Sequence, residues 1–327
     1  MTEAGGSGPN AANDNAVEVR NLTKRFGTFT AVDGISFSVR RGEICGLLGA
    51  NGAGKTTTIR MLCALMLPTS GQARVLGHGI ESNPQRIKQS IGYMSQRFSL
   101  YQDLTVLENI RFFGGVYGLA PRQIRSRLDW VLELSGLKGH ERRLTATLST
   151  GWKQRLALGC AVLHGPGMVF LDEPTSGVDP ASRRNFWKLI NKLASEGMTI
   201  MVTTHYMDEA EYCNTILLMN AGRLIAQGSP GELKRRAVGG AVYSVECEGP
   251  TGALRLLRGR GWVDRVSLFG TYLHVSVSAD AARGVEQMIC RFLEDHGHAV
   301  RRIRRIIPGL EDVFLELVEG NQETADG

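Results

Sequence analysis

Hydrophobic positions change rhythm along the chain, and the changes mark its elements. Three short apolar runs, EICGLLG (Glu43–Gly49), MVFLDEP (Met168–Pro174) and MTIMVTTH (Met198–His205), are bounded by turn residues. Runs of this length without alternation predict strands buried on both faces, as in a parallel sheet under helices. TILLMNAGRLIAQG (Thr215–Gly228) instead predicts a hairpin around Asn220, Ala221 and Gly222. Between Arg97 and Leu148 the period becomes helical. There Ile124, Leu128, Val131, Leu132 and Leu134 form one apolar stripe, which predicts a helical insert between two strands of the core.

A linker at KRRAVGGA (Lys234–Ala241) opens a second unit. AVYSVEC reads as a strand, PTGALRLLRGRG as a helix and WVDRVSLFGTYLHVSVS as a hairpin, with Leu273, Val275 and Val277 alternating. The next segment places Val285, Met288, Ile289, Phe292 and Leu293 on one helical face, and AVRRIRRII is a last strand. The order β-α-β-β-α-β predicts a ferredoxin-like split unit.

Composition narrows the class. A 43% hydrophobic content supports a real core in 327 residues, enough for about two domains. The six cysteines contain no CxxC pair, which argues against a zinc site or disulfide framework and suits a reducing compartment. The N-terminal stretch lacks the charged and apolar regions of a signal peptide, and no apolar run approaches the roughly 18 residues of a membrane span. The net charge of +6 is mild, and solvated surface charge accounts for it.

The chemistry is concentrated at a few points. GANGAGKT fits the pattern GxxxxGK followed by Ser or Thr, directly after a predicted strand. Gly49, Ala50, Asn51, Gly52, Ala53 and Gly54 let successive N–H groups face a polyphosphate, and a helix starting near Lys55 adds its positive end. Lys55 would reach the β- and γ-phosphates, and Thr56 would hold Mg²⁺, with Thr57 following in the cradle. MVFLDEP delivers Asp172 and Glu173 to a strand end, where open α/β sheets bind ligands. Asp172 is placed to support Mg²⁺ and Glu173 to act as general base on water. His205 ends the strand expected beside that of Asp172, in reach of a γ-phosphate, and Gln96 follows another strand-like segment.

At LSTGWKQR the chain resembles the ATP-binding-cassette ATPases, whose signature reads LSGGQ. Leu148, Ser149 and Gly151 match it, and the order of motifs agrees: phosphate loop, Gln96, signature, Asp172–Glu173, SGVD (Ser176–Asp179), His205. The resemblance covers about 17–228. It implies ATP and Mg²⁺ as cofactors, with Phe26 stacking on adenine and Gln96 joining Thr56 and Asp172 near the metal. It implies a head-to-tail dimer, of two copies or with another such ATPase. In that dimer Ser149 and Gly151 contact the γ-phosphate held by the other subunit, and Asp179 lies in the loop linking the two sites. Gln96 would connect ATP to a multispan membrane permease docked on the helical insert.

The expected fold is therefore α/β: a P-loop NTPase core of mostly parallel sheet with antiparallel β elements and a helical insert, plus a small C-terminal α+β ferredoxin-like domain. The expected boundaries are a disordered tail at 1–15, the ATPase domain at 16–236 with its helical subdomain at about 97–150, the accessory domain at 241–320 and a disordered tail at 321–327. Two positions depart from the signature: Thr150 replaces its first glycine and Trp152 its glutamine. A β-carbon at Thr150 resists positive φ but is tolerated in an ordinary first helical turn. Trp152 reads as a packing or partner contact. The tail PGLEDVFLELV, with TTHYMDEAE and KQRLALG, resembles the ATPases of drug and polysaccharide exporters. That resemblance implies an ATPase peripheral to the cytoplasmic face of the cell (inner) membrane, driving a separate permease and binding no nucleic acid. The alternatives are a soluble ATPase of this kind acting on ribosomes or nucleic acid, and a catalytically silent regulator.

Overall fold

The computed structural model describes residues 14–96, 100–236, 240–278 and 284–323. The chain divides at Pro230/Gly231 into two compact units. Of the tails expected at 1–15 and 321–327, residues 1–13 and 324–327 lie outside the described residues, as do 237–239 of the linker, while Asn15 opens a strand and 321–323 end a helix.

The first unit opens with β1 (Asn15–Phe26) and β2 (Phe29–Arg40), then β3 (Ile44–Leu48), α1 (Lys55–Leu62), β4 (Ser70–Val75) and β5 (His78–Gly79). α2 (Pro84–Ser90) and β6 (Ile91–Met94) lead into α3 (Val106–Val116), α4 (Pro121–Ser135) and α5 (Thr150–Val162). β7 (Met168–Asp172), α6 (Pro180–Ser195), β8 (Thr199–Thr204), β9 (Thr215–Asn220) and β10 (Arg223–Gly228) complete it. Two sheets result. One is antiparallel, in the order β2-β1-β4-β5. The other runs β10-β9-β3-β8-β7-β6, with β9 to β6 parallel and β10 antiparallel at the edge.

Every residue of β3, β7 and β8 is buried, as their uninterrupted apolar sequences require of strands covered on both faces. Ile59, Met61 and Leu62 of α1 join side chains of both sheets in one core cluster. The β9–β10 hairpin closes on Ala221 and Gly222, both at positive φ. The helical insert is fastened from inside by Asn109, which is fully buried. Asn109 accepts from Tyr101 N and donates to Tyr101 O (both 2.9 Å), and also donates to Thr145 Oγ1 at 2.9 Å. One side chain thus ties the segment after Gln96 to the segment that ends at Ser149.

α7 (Pro230–Arg236) is followed by β11 (Gly240–Cys247), α8 (Pro250–Leu257), β12 (Val263–Phe269), β13 (Tyr272–Ser278), α9 (Val285–Asp295), β14 (Val300–Ile306) and α10 (Leu310–Glu323). The second sheet system has the order β12-β13-β11-β14, antiparallel throughout. This is the order of a ferredoxin-like unit. Ala253 and Leu257 of α8 and Val285, Ile289 and Leu293 of α9 bury against Tyr243, Val245 and Val275. α10 runs to Glu323, three residues past the boundary expected at 320, because LEDVFLELV continues as a helix. No helix among the described residues is long and apolar enough to cross a membrane.

Candidate functional site

The phosphate loop leaves β3 and turns into α1. Gly54 sits at φ +102°, and a β-carbon there would lie 2.4 Å from the carbonyl oxygen of Ala31, so only glycine fits. Lys55, the first residue of α1, is 5% exposed. Its Nζ donates to Gly49 O (2.8 Å) and Ala50 O (3.1 Å) and stands 3.6 Å from Glu173 Oε1. Burial pulls the lysine below its ordinary pKa, and Glu173 opposes the shift. Beside the loop lies a cavity of about 370 Å³, lined by Asn51–Thr57, Gln96 and Glu173 and, at its far side, by Phe26 and Phe29. These two aromatic rings are exposed at the tip of the β1–β2 hairpin, where Phe26 pairs with Phe29. The expected stacking residue therefore has a companion. The spacing FGTF, two aromatics around a Gly-Thr turn, was the signal for it.

Asp172 and Glu173 follow one another but occupy different environments. Asp172 is 1% exposed and accepts from Thr203 Oγ1 (2.7 Å) and Thr56 Oγ1 (3.0 Å). Burial pushes its carboxyl up, while the two hydroxyls hold it down. A carboxylate next to a hydroxyl is a hard-oxygen pair of the kind Mg²⁺ accepts when phosphate oxygens and water supply the rest. Glu173 stands where the chain turns off β7, at φ +48°. A left-handed backbone at a non-glycine residue costs about 1–2 kcal/mol, and the turn is over-determined by Glu173 N, which donates to Thr203 O (3.1 Å) and Oγ1 (2.9 Å). The strained turn throws the carboxylate out beside the cavity. Gln96 Nε2 donates to Glu173 Oε2 (3.0 Å), and His205 Nδ1 lies 3.5 Å from the same oxygen. Lys55, Gln96 and His205, far apart in sequence, thus converge on one carboxylate.

The remaining expected residues gather elsewhere. Ser149 is the N-cap of α5 and accepts from Trp152 N (3.4 Å). Thr150 is the first residue of α5 and is not among the positive-φ residues, so threonine is accommodated there without backbone strain. Gly151 has no such freedom: a β-carbon would lie 2.9 Å from Ser182 Oγ and 3.0 Å from its Cβ. Trp152 packs beside His140, ring centroids 5.0 Å apart, and under the Arg143 guanidinium at 5.4 Å, a contact within the helical insert. Asp179 caps α6, accepting from Ala181 N (3.0 Å) and Ser182 N (2.9 Å), and these bonds hold its carboxyl below the usual range. Ser149, Gly151 and Asp179 do not line the phosphate cavity of their own chain. They present two adjacent helix N-termini instead.

Comparison with known proteins places these features in context. A family model described as ABC transporter matches residues 32–176, and one described as the C-terminal domain of DrrA1-3-like ATP-binding proteins matches 228–318. The Nod factor export ATP-binding protein I of Ralstonia nicotianae is 37% identical over 95% of this chain and 96% of its own length. The protein named "Probable multidrug ABC transporter ATP-binding protein YbhF" in Escherichia coli is 52% identical over 68% of this chain. That match spans 39% of the longer relative. Among solved structures, cbiO1 of Clostridium perfringens, part of the ABC transporter complex cbiONQ, aligns with a TM-score of 0.62 and 30% identity. The alignment covers 68% of this chain and 94% of that one.

Proposed function

The chain belongs to the ATP-binding proteins of ABC transporters, and on that premise we propose that it is the ATP-hydrolysing subunit of an exporter, peripheral to the cytoplasmic face of the inner membrane. Phe26, with Phe29, receives the adenine. Residues 49–57 cradle the phosphates, with Lys55 giving up its carbonyl contacts for the β- and γ-phosphate oxygens. Thr56 and Asp172 would hold Mg²⁺, with Gln96 nearby; the ion neutralises phosphate charge when bound. Glu173 accepts a proton from the attacking water, and Gln96 and His205 fix its orientation and the γ-phosphate's. A second such subunit, identical or related, supplies Ser149 and Gly151 at the N-terminus of α5 to the γ-phosphate, where helix dipole and free N–H groups favour an anion. Asp179 lies between the two sites.

A membrane-spanning permease docks on the groove between the helical insert and the core. Tyr93, Val116 and Tyr117 line it, and Leu65 at 52% and Val116 at 63% exposure offer an apolar surface. The names of the relatives, which mention multidrug transport and Nod factor export, support export.

The observation that carries the reading is the convergence of Lys55, Gln96 and His205 on Glu173 within 3.6 Å. Its test is Glu173→Gln. That variant keeps the shape and the strained turn but cannot take a proton, so turnover falls by about 10²–10⁴ while ATP binding persists and an ATP-bound dimer accumulates on size exclusion. Hydrolysis at the wild-type rate would remove Glu173 as the base.

A further inference from the structure

Behind Glu173 a set of side chains without a role in the reaction as proposed closes into a ring with His205 and Glu173. Thr175, two residues after Glu173, donates from Oγ1 to Glu209 Oε1 at 2.5 Å. Glu209 is completely buried. Its counter-charge is Arg183, whose Nε lies 3.5 Å from the same oxygen and whose Nη1 lies 3.7 Å from Asp208. The guanidinium carbon sits 3.8 Å from the centre of the Tyr206 ring, and that ring lies 4.1 Å from the ring of His205. His205 returns the path to Glu173 at 3.5 Å.

Three segments meet here. Thr175 belongs to the turn after β7. Arg183 is in the first turn of α6, four residues after its cap Asp179, whose carbonyl accepts from Arg183 N at 2.9 Å. Tyr206, Asp208 and Glu209 follow β8. A buried carboxylate must be paired to remain charged, so Glu209 fixes the guanidinium. A guanidinium held over an aromatic ring in turn fixes that ring. Tyr206, and through it His205, therefore has its place set by a residue of the Asp179 segment.

We propose that Arg183 and Glu209 are positioning residues for hydrolysis: they hold His205 against Glu173 and fasten the Asp179 segment to it. The role rests on the ATPase reading above. It gives a second subunit that engages Asp179 a direct mechanical route to His205 in this one.

The test uses the full chain with Arg183→Met, Arg183→Lys, Glu209→Gln and the double variant Arg183→Met/Glu209→Gln. Misplacement of a catalytic group by about 1 Å costs up to about 10²-fold, so Arg183→Met is expected to lower kcat at least about tenfold with ATP affinity within about threefold. Arg183→Lys restores the charge but not the guanidinium over the Tyr206 ring, so it recovers part of kcat. The double variant is expected to be no slower than Arg183→Met, since both changes break one link. It also leaves no buried charge unpaired and so carries the test where Arg183→Met fails to fold. Wild-type kcat in folded Arg183→Met or in the double variant overturns the proposal. So does an equal loss of ATP binding and kcat, which marks a merely structural role. A wild-type chain without ATPase activity overturns the reading beneath it as well; an active wild type with indifferent variants overturns this proposal alone.

Discussion

Replacing Thr203 by valine removes the larger of the two hydroxyl contacts that oppose the effect of burial on Asp172. Thr203 is fully buried, and its hydroxyl donates to Asp172 Oδ1 at 2.7 Å. Valine keeps the β-branched strand geometry and removes the hydroxyl, which donates to Asp172 and is one of two acceptors from Glu173 N. A hydrogen bond to a charged group contributes about 1.5–3 kcal/mol. The added methyl offsets at most about 0.8 kcal/mol, so a net loss of about 1–2 kcal/mol is expected. Glu173 N loses one acceptor but keeps the Thr203 carbonyl at 3.1 Å, so the turn survives.

The pH dependence has a definite sign. The folded-state pKa of Asp172 lies above the ordinary 3.8 because of burial. The folded protein therefore binds more protons than the unfolded chain between 3.8 and that folded value, and this group's contribution to stability falls as pH rises through the window. Thr203→Val removes a contact that holds the carboxyl down, so it raises the folded value further. The deficit of the variant should then be full above the folded pKa and shrink as the carboxyl protonates. Urea unfolding without nucleotide, followed by tryptophan fluorescence at pH 8 and pH 5, measures it. A midpoint lower by about 0.5–1 M at pH 8, with a smaller gap at pH 5, is expected. Equal midpoints at pH 8, or a gap that widens on acidification, would refute the argument.

Three further outcomes are expected. Phe26→Ala should weaken ATP by about 1–2 kcal/mol, roughly 5- to 30-fold, through lost base stacking; unchanged affinity in a fluorescent-nucleotide titration removes the stacking role. Gly151→Ala drives a methyl against Ser182 and should cost about 1–3 kcal/mol of overpacking, with part of the melting temperature recovered by adding Ser182→Ala; no recovery means the strain lies elsewhere. His164 is held down to about 4 by burial, its Nε2 against Ile91 O at 3.1 Å, so the unfolded chain binds the extra proton between about 4 and 6.5 and this part of stability is lost as pH falls through that window. His164→Gln should flatten the fall in urea midpoint between pH 7 and pH 4.5, and an unchanged slope would count against it.

What the sequence revealed and what it withheld follow from the range of the forces involved. The buried strands, the phosphate loop and the helical insert are local statements: apolar runs, glycines where a β-carbon would collide, and a 3.6-residue stripe. They were readable because each is decided within a dozen residues. The adjacency of the Asp172 and His205 strand ends was also readable, since two uninterrupted apolar strands of a parallel sheet are natural neighbours. Their register was not. Asp172 pairs with Thr203, two residues before His205, and that register makes Thr203, an ordinary β-branched residue in MTIMVTTH, a donor that holds the Asp172 carboxyl down against burial. The same holds for Arg183 and Glu209, which in sequence look like solvated charges of a helix and a loop. Only the packing of α6 against the loop after β8 turns them into an ion pair, with Glu209 wholly buried. A motif names the atoms that touch phosphate because phosphate dictates their chemistry. The atoms that hold those in place answer to the sheet register, which is written in the pairing of whole strands rather than in any short run.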